Sequence, residues 1–482
     1  MIFVLLIPTL VVFLVQRYYV TRRSYVSVTG KPTGGQIQVK EAWIRWPFII
    51  VTYLICLLIV VLYVTIVVGS FSTSWGVDYT PTLEWWGVMF TRGVESILDT
   101  TFLSAFATPI AGFTGMVIAF LVVRKRFSGK AVLDFVSNLG GAVPGTILGI
   151  GFVLAFSTPP LFVVGILYGL LALYLARTVC HRGREQIIAL AGGTVLGLGL
   201  TQLYDLTTEA GMMYLLGSVY VVLGLLVWLW RRNRVGGWLL MGLGAYLASA
   251  VLIQYVVLPI AELSRAVPTG FLSNAIYQFS QHIQVFFQIP TPLSAIFYTF
   301  AAVLVVRQEE QAVLRLVLTT LLLGLVGAMC FMGQPLALVG TPYIILAAFA
   351  VRSLPASVRA GVAALQQIDP SIEEASNILG GDAQYTFRKV TLPLILPAFL
   401  AGLIFSFTRH MTSLSAIIFL VSPQWRIVTA SILSEWEQGG VSIAAAYSTT
   451  IIVLVLIAIG VLYVLVNKNL GGRGDVDLSL GA

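Results

Sequence analysis

Charge is scarce in this sequence. Of 482 residues only 10% are Asp, Glu, Lys or Arg, while 58% are hydrophobic and the mean hydropathy is +0.94. So little charge cannot cover a water-facing surface, which excludes an ordinary soluble globular protein. Cysteine and histidine are nearly missing too, with three of each. Cys56, Cys180 and Cys330 stand far apart, so their spacing defines neither a disulfide framework nor a metal site. His181, His282 and His410 are isolated, and no cluster of Asp, Glu, His or Cys at catalytic spacing supports a membrane enzyme. A Gly-rich loop ending in Lys-Ser or Lys-Thr is also missing, so the chain does not itself hydrolyse ATP.

What is present is a series of apolar runs with short basic clusters between them. The 28 Lys and Arg against 20 Asp and Glu give a net charge of +8. These clusters read as topology signals and not as a face for nucleic acid. A run at Ile2–Val15 is followed, not preceded, by Arg17, Arg22 and Arg23, the opposite polarity to a secretory signal. Its C-terminal end is therefore expected in the cytoplasm, an orientation that suits a span once preceded by others. Further spans are expected at about Trp46–Val68, Thr100–Val123 (closed by Arg124-Lys125-Arg126) and Val132–Phe156. Gly140-Gly141, Pro144-Gly145, Gly149 and Gly151 in the last of these predict close packing and local breaks inside a bundle. Trp75, Trp85 and Trp86 suit an interfacial belt.

About six more apolar segments lie between Leu161 and Gln334. Arg177–Arg184, Arg231–Arg234 and Arg307–Arg315 mark their inner turns, and Asp205 with Glu209 an outer one. An amphipathic stretch with Phe271, Ile276, Phe279, Ile283 and Phe286 predicts a helix lying on the membrane surface. The last group is a span at Leu338–Val351, a polar cytoplasmic stretch from Arg352 to Thr391, and spans at Leu394–Val421 and Ile443–Val466. The expected divisions are 1–45 (a residual span and linker), 46–160 (three spans), 161–333 (an inserted hydrophobic region), 334–470 (three spans with a loop at 352–393) and a cytoplasmic tail at 471–482.

The polar stretch holds the most specific pattern. Asp369-Pro370 followed by Glu373 and Glu374, with Gly380-Gly381 at the end, predicts a short capped helix. A second short helix is expected over 383–390, capped by Asp382 and ended by Leu392-Pro393. Such a helix-turn-helix would present Ile372, Ala375 and Leu379 to a soluble partner. Arg409 and His410, within or beside a span, are functional candidates by default, with snorkelling at the cytoplasmic end the alternative for Arg409. Met411, Thr412, Ser413 and Ser415 are candidates to line a pathway, although Ser and Thr also bridge helices for packing alone. No metal-ligating set is in view.

Glu374-Ala375-Ser376, three residues, Gly380, nine residues, then Val390-Thr391-Leu392-Pro393 resembles the EAA loop of ABC importer permeases. Ser376 replaces the usual second alanine and Val390 the usual isoleucine. The stretches Val351-Arg352-Ser353-Leu354-Pro355, 363–371 and 411–420 are similar to ferric-iron permeases, over about 16–156 and 334–470. The resemblance implies an all-α, polytopic, MetI-like permease fold with roughly 13 spans in a bacterial inner membrane. It implies that Glu374, Ala375, Ser376, Gly380, Leu392 and Pro393 belong to a coupling loop that docks on a cytoplasmic ATPase, two copies of which bind the ATP. An extracytoplasmic solute-binding protein and a second permease half, as a separate chain or by self-association, complete the expected partners. Members of the wider family that import thiamine, polyamines, sulfate or phosphonates share the loop. A secondary transporter, the reading from another class, requires carboxylates or paired charges deep in the spans, and these are almost absent.

Overall fold

The structure, a computed structural model, describes residues 41–470 except 160, 205–208, 232–233, 253–258, 260–261, 264–270, 288, 308, 310 and 334–335. The expected span at 2–15, most of the linker after it and the tail at 471–482 lie outside the described residues. Eight described helices are long and apolar enough to cross a membrane, or ten if each of two bent pairs is one span. Two shorter apolar helices, Val235–Ser249 and Thr291–Val306, occupy the remaining expected segments.

The chain divides into two compact units. The first comprises residues up to Gly151 and from Ile345 onward. It opens with α1 (Ala42–Gly69), which packs along the last helix and is otherwise exposed, as a lipid-facing apolar helix must be. A hairpin of β1 (Ser72–Ser74) and β2 (Asp78–Pro81) follows, a feature without a sequence signal strong enough to expect. The three tryptophans secure it: Trp75 lies edge-on to Tyr79 at 5.4 Å, Trp85 Nε1 donates to Thr73 O at 3.0 Å, and Trp86 stacks on Phe71 at 5.5 Å.

After a short helix Glu84–Val88 and a π-helical turn, α2 (Val94–Arg124) crosses the unit. The expected span at Val132–Phe156 is instead two helices, α3 (Lys130–Ala142) and α4 (Gly145–Phe156), bent by 110°. Pro144 causes the break, because it forces the preceding Val143 out of the helical region, to φ −82° and ψ 130°. The bend is accommodated by glycine: a Cβ on Gly140 would strike Val351 O and one on Gly149 would strike Ala416 O.

The second unit, Phe152–Ile344, contains α5 (Leu161–Val179), α6 (Gly183–Tyr204), α7 (Glu209–Arg231), α8 (Arg234–Leu252), α9 (Phe271–Phe287), α10 (Thr291–Val306) and α11 (Ala312–Phe331). Its core gathers Leu175, Leu216, Tyr220, Tyr298, Leu323 and Met329, all nearly inaccessible. Glycine sets the helix spacing. A Cβ on Gly244 of α8 would lie 2.5 Å from Gly217 O of α7, and one on Gly193 of α6 would lie 2.5 Å from Leu323 Cβ of α11. Helix α9 turns Gln278, Ser280 and His282 inward and leaves Phe279 and Phe286 exposed, the polarity a lipid-facing helix requires.

The remaining elements belong mainly to the first unit: α12 (Pro342–Gln367), α13 (Pro370–Ile378), α14 (Ala383–Thr386), α15 (Leu392–Met411), α16 (Val428–Glu437) and α17 (Val441–Leu470). Two expectations need correction here. The span expected to stop at Val351 continues unbroken to Gln367, so Arg352 does not open a cytoplasmic loop. Hydropathy misplaces this boundary because Ser353, Ser357, Val358 and Leu365 are buried in one continuous helix. The span expected over Leu394–Val421 ends its helix at Met411, and 412–427 is a non-helical, partly buried segment.

Candidate functional site

The loop from Ile368 to Thr391 is built from local signals. Asp369 Oδ1 accepts the Ser371 amide at 2.9 Å and so caps α13, while Pro370 occupies the first helical position, where an N–H is not needed. These bonds from Ser371 hold the Asp369 carboxyl below the usual carboxylate range. Gly380 ends α13 in the left-handed region at φ +87°, and Gly381 N donates back to Ser376 O at 2.9 Å. Asp382 Oδ1 then accepts from Tyr385 N at 2.6 Å and starts α14. Leu392-Pro393 does not end this second helix, as the sequence suggested. Residues Phe387–Thr391 form a π-helical turn that runs straight into α15, with Leu392 N bonded to Phe387 O. Pro393 sits in the first turn of α15, where its missing N–H costs nothing.

The loop has two faces. Glu374, Ala375 and Ile372 are exposed, and at the tip Ile378 and Leu379 are 86% and 87% exposed. Apolar side chains this open at a helix end suit burial by another protein. On the opposite face Ser376 Oγ lies 2.9 Å from Thr386 Oγ1, which ties α13 to α14. Leu392 packs on a cluster of Met116, Ala119, Leu365 and Ile395, and Pro393 is exposed.

A residue outside the expected set anchors the loop. Glu373 Oε1 accepts from Arg124 Nε at 3.1 Å and from Thr391 Oγ1 at 3.0 Å. Arg124 also donates through Nη2 to Leu365 O at 3.2 Å and Ile368 O at 3.1 Å. One guanidinium thus joins the end of α2, the end of α12 and the buried face of α13. A cavity of about 100 Å³ opens beside it, between Phe120, Lys125, Thr386 and Phe387. Sequence read Arg124 only as a topology marker. A pairing across 249 positions leaves no local signal.

The expected pathway residues do not gather into one lining. Met411 is buried in an apolar cluster with Met89, Val428 and Tyr447, a packing position. Thr412 is exposed, and Thr412 Oγ1 donates to Thr408 O at 2.9 Å. Ser413 is buried and its hydroxyl has no partner, while Ser415 is half-buried against the start of α4. Neither Arg409 nor His410 lies near the 368–391 loop. They end α15, so a snorkelling role for Arg409 at the loop side is excluded. His410 Nε2 lies 2.8 Å from Ser353 Oγ and 3.0 Å from Phe349 O, Nδ1 lies 3.2 Å from Thr108 Oγ1, and the ring stacks on Phe349 at 5.0 Å. A carbonyl can only accept, so the bond to Phe349 O puts a hydrogen on Nε2. The imidazole cross-links α2, α12 and α15. Asp99 and Thr100 of α2 likewise accept the amides of Arg426 and Val428 at 3.1 and 2.9 Å, which ties the start of α16 to α2. Among the described residues no three His, Cys, Asp or Glu side chains converge.

Residues 239–473 match the family described as binding-protein-dependent transport system inner membrane component. The putative ferric transport system permease-like protein AfuB of Escherichia coli is 41% identical over 107 residues, 22% of this chain and 89% of AfuB. This chain belongs to that permease family. The ferric transport system permease protein FbpB of Actinobacillus pleuropneumoniae is 24% identical over 457 residues, 94% of this chain and 41% of FbpB. The putative FbpB 1 of Haemophilus influenzae is 37% identical over 166 residues, 33% of this chain and 26% of the relative. The chain thus spans less than half the length of these two relatives. As a binding-protein-dependent permease it has the all-α fold of that family and is a multi-pass inner-membrane protein.

Proposed function

We propose that this permease forms part of the membrane path of an ATP-driven ABC importer for ferric iron. The observation that carries the reading is the 368–391 loop, with an exposed apolar tip on one face and the Arg124–Glu373–Thr391 node on the other. A cytoplasmic ATPase, in two copies, docks on Glu374, Ala375, Gly380 and the Ile378-Leu379 tip, while Ser376 behind them holds α13 to α14. Closure of the ATPase on nucleotide moves α13, and the Arg124 node carries that movement to the ends of α2 and α12. Leu392 and Pro393 pass it along α15. An extracytoplasmic binding protein delivers the cargo, and a second permease half completes the path. The names of FbpB and AfuB support iron as the cargo.

The test is a pull-down of the tagged full chain from solubilised native membrane, beside a Glu374→Arg variant and an Ile378→Asp/Leu379→Asp variant. Co-purification of an ABC ATPase with the unaltered chain and its loss from both variants is the expected result. Equal recovery in all three, or no ATPase with any, overturns the docking role. Radioactive ferric iron uptake by cells with and without the gene tests the cargo separately.

A further inference from the structure

Two arginines on membrane-spanning helices of the first unit have no carboxylate partner among the described residues. Arg352 lies about 22 Å along α12 from its loop end at 1.5 Å per residue, and Arg409 about 26 Å along α15 from Leu392. The first distance falls within a hydrocarbon layer of about 30 Å, and Arg409 stands at the far end of α15. Their chain neighbours Ser353 and His410 lie 2.8 Å apart, so α12 and α15 bring both arginines to one level. Neither has a hydrogen bond or ion pair to any described residue, whereas Arg124 meets Glu373 and Asp99 meets the Arg426 amide. An uncompensated guanidinium at this depth is costly, so its presence marks a site where an anion or water completes it.

The surroundings of Arg352 sharpen the demand. A Cβ on Gly145, the first residue of α4, would strike both Arg352 Nη1 and Ser415 Oγ, so guanidinium, hydroxyl and helix start converge on one point. The first amides of a helix are unpaired donors and carry partial positive charge, which makes this a poor place for an arginine by itself. The same non-helical segment holds Ser413, 7% exposed, whose hydroxyl has no partner. Donors and positive charge gather here, and among the described residues no carboxylate answers them.

We propose that Arg352, Arg409 and Ser415 form an oxyanion-binding site, for a phosphate-like or carboxylate ligand held by the planar guanidinium fork. Arg352 binds the anion directly, Ser415 donates a further bond and Arg409 supplies long-range attraction. Resting on the function proposed above, the site has a role in transport: a trivalent cation is repelled by two guanidiniums unless an oxyanion travels with it. The same chemistry could be met by a lipid phosphate, and the experiment separates the two sources.

Inorganic phosphate is the probe. The purified full chain in phosphatidylcholine nanodiscs is titrated with radioactive phosphate at low ionic strength by equilibrium dialysis. One saturable site is expected, weakened at least about tenfold by Arg352→Gln, less by Arg352→Lys, and about threefold by Arg409→Gln. Arg352→Lys guards against a folding artefact, since it keeps the charge and loses only the fork. Absence of saturable binding to the unaltered chain, or equal binding by Arg352→Gln, overturns the site. Loss of phosphate binding when phosphatidylglycerol replaces part of the lipid assigns the site to headgroups and overturns its role with cargo. Iron uptake by cells is measured independently, so a chain that supports uptake but binds no phosphate refutes the anion site and leaves the importer intact.

Discussion

Both units pack helices through glycines, and they differ in how far polar groups tie distant helices together. In the second, α7 with α8 and α6 with α11 meet through glycines that let backbones approach, over a core of Leu, Ala, Val and Tyr. In the first, Gly115 and Gly140 give equally close approaches, and distant helices are also joined at polar nodes: Arg124 with Glu373 and Thr391, His410 with Ser353 and Thr108, Asp99 with the Arg426 amide. Glycine seams gain their stability from close contact over their whole length and have one good arrangement. A polar node is a point attachment, and helices so joined can tilt about it while its hydrogen bonds persist. The 368–391 loop is attached to its unit through such a node, at Arg124.

That contrast can be broken most severely in the glycine seam. Gly244→Val should cost about 3 kcal/mol, because the new side chain meets the Gly217 carbonyl and neither backbone can yield. The folded fraction after detergent extraction, followed by size-exclusion chromatography and thermal scanning, should fall sharply. Arg124→Ala should cost about 2 kcal/mol, since Glu373 and two backbone carbonyls lose their donor at a partly solvated node. Its signature differs: folded protein and bound ATPase persist while uptake per ATP hydrolysed drops several-fold. If uptake survives, the node is only structural.

His410→Ala should cost about 1–2 kcal/mol from lost inter-helix hydrogen bonds, measured as a lower midpoint in thermal scanning. Gly380→Ala should cost about 1 kcal/mol by forcing a side chain into the left-handed region, with the loss appearing as weaker ATPase recovery. The smallest effect belongs to Asp369. Its carboxyl is held below its ordinary value, so the cap is fully formed above about pH 4, the ordinary value, and is lost only as pH falls through the lowered one. Asp369→Asn keeps the cap, and ATPase recovery between pH 6 and 8 should stay within about twofold of the unaltered chain.

Legibility followed sequence distance. The caps at Asp369 and Asp382 and the left-handed Gly380 depend on neighbours within a few residues, so residue types alone announced them. Pro144 announced a break, but the 110° angle depends on what α3 and α4 pack against. The continuation of α12 past Val351 was hidden because hydropathy scores Arg352, Ser353 and Ser357 as solvent-facing. Two of the three are buried against neighbours. Glu373 and Glu374 are adjacent carboxylates of the same type, and sequence favoured Glu374 for its place in the motif. Only the packed structure distinguishes the one held by Arg124 from the one left exposed.

The sequence by itself determined that this chain spans a membrane many times and carries a capped helix-turn-helix between two of its last spans. Both follow from short-range physics: the transfer of apolar runs out of water, and backbone groups satisfied by adjacent side chains. Only the tertiary structure decided which charges are paired. Arg124 finds Glu373 and His410 finds Thr108 across 249 and 302 positions, while Arg352 and Arg409 find no acceptor among the described residues. The reason is physical: in a low-dielectric interior the fate of a charge depends on what lies within a few ångströms, and chain order does not encode that distance.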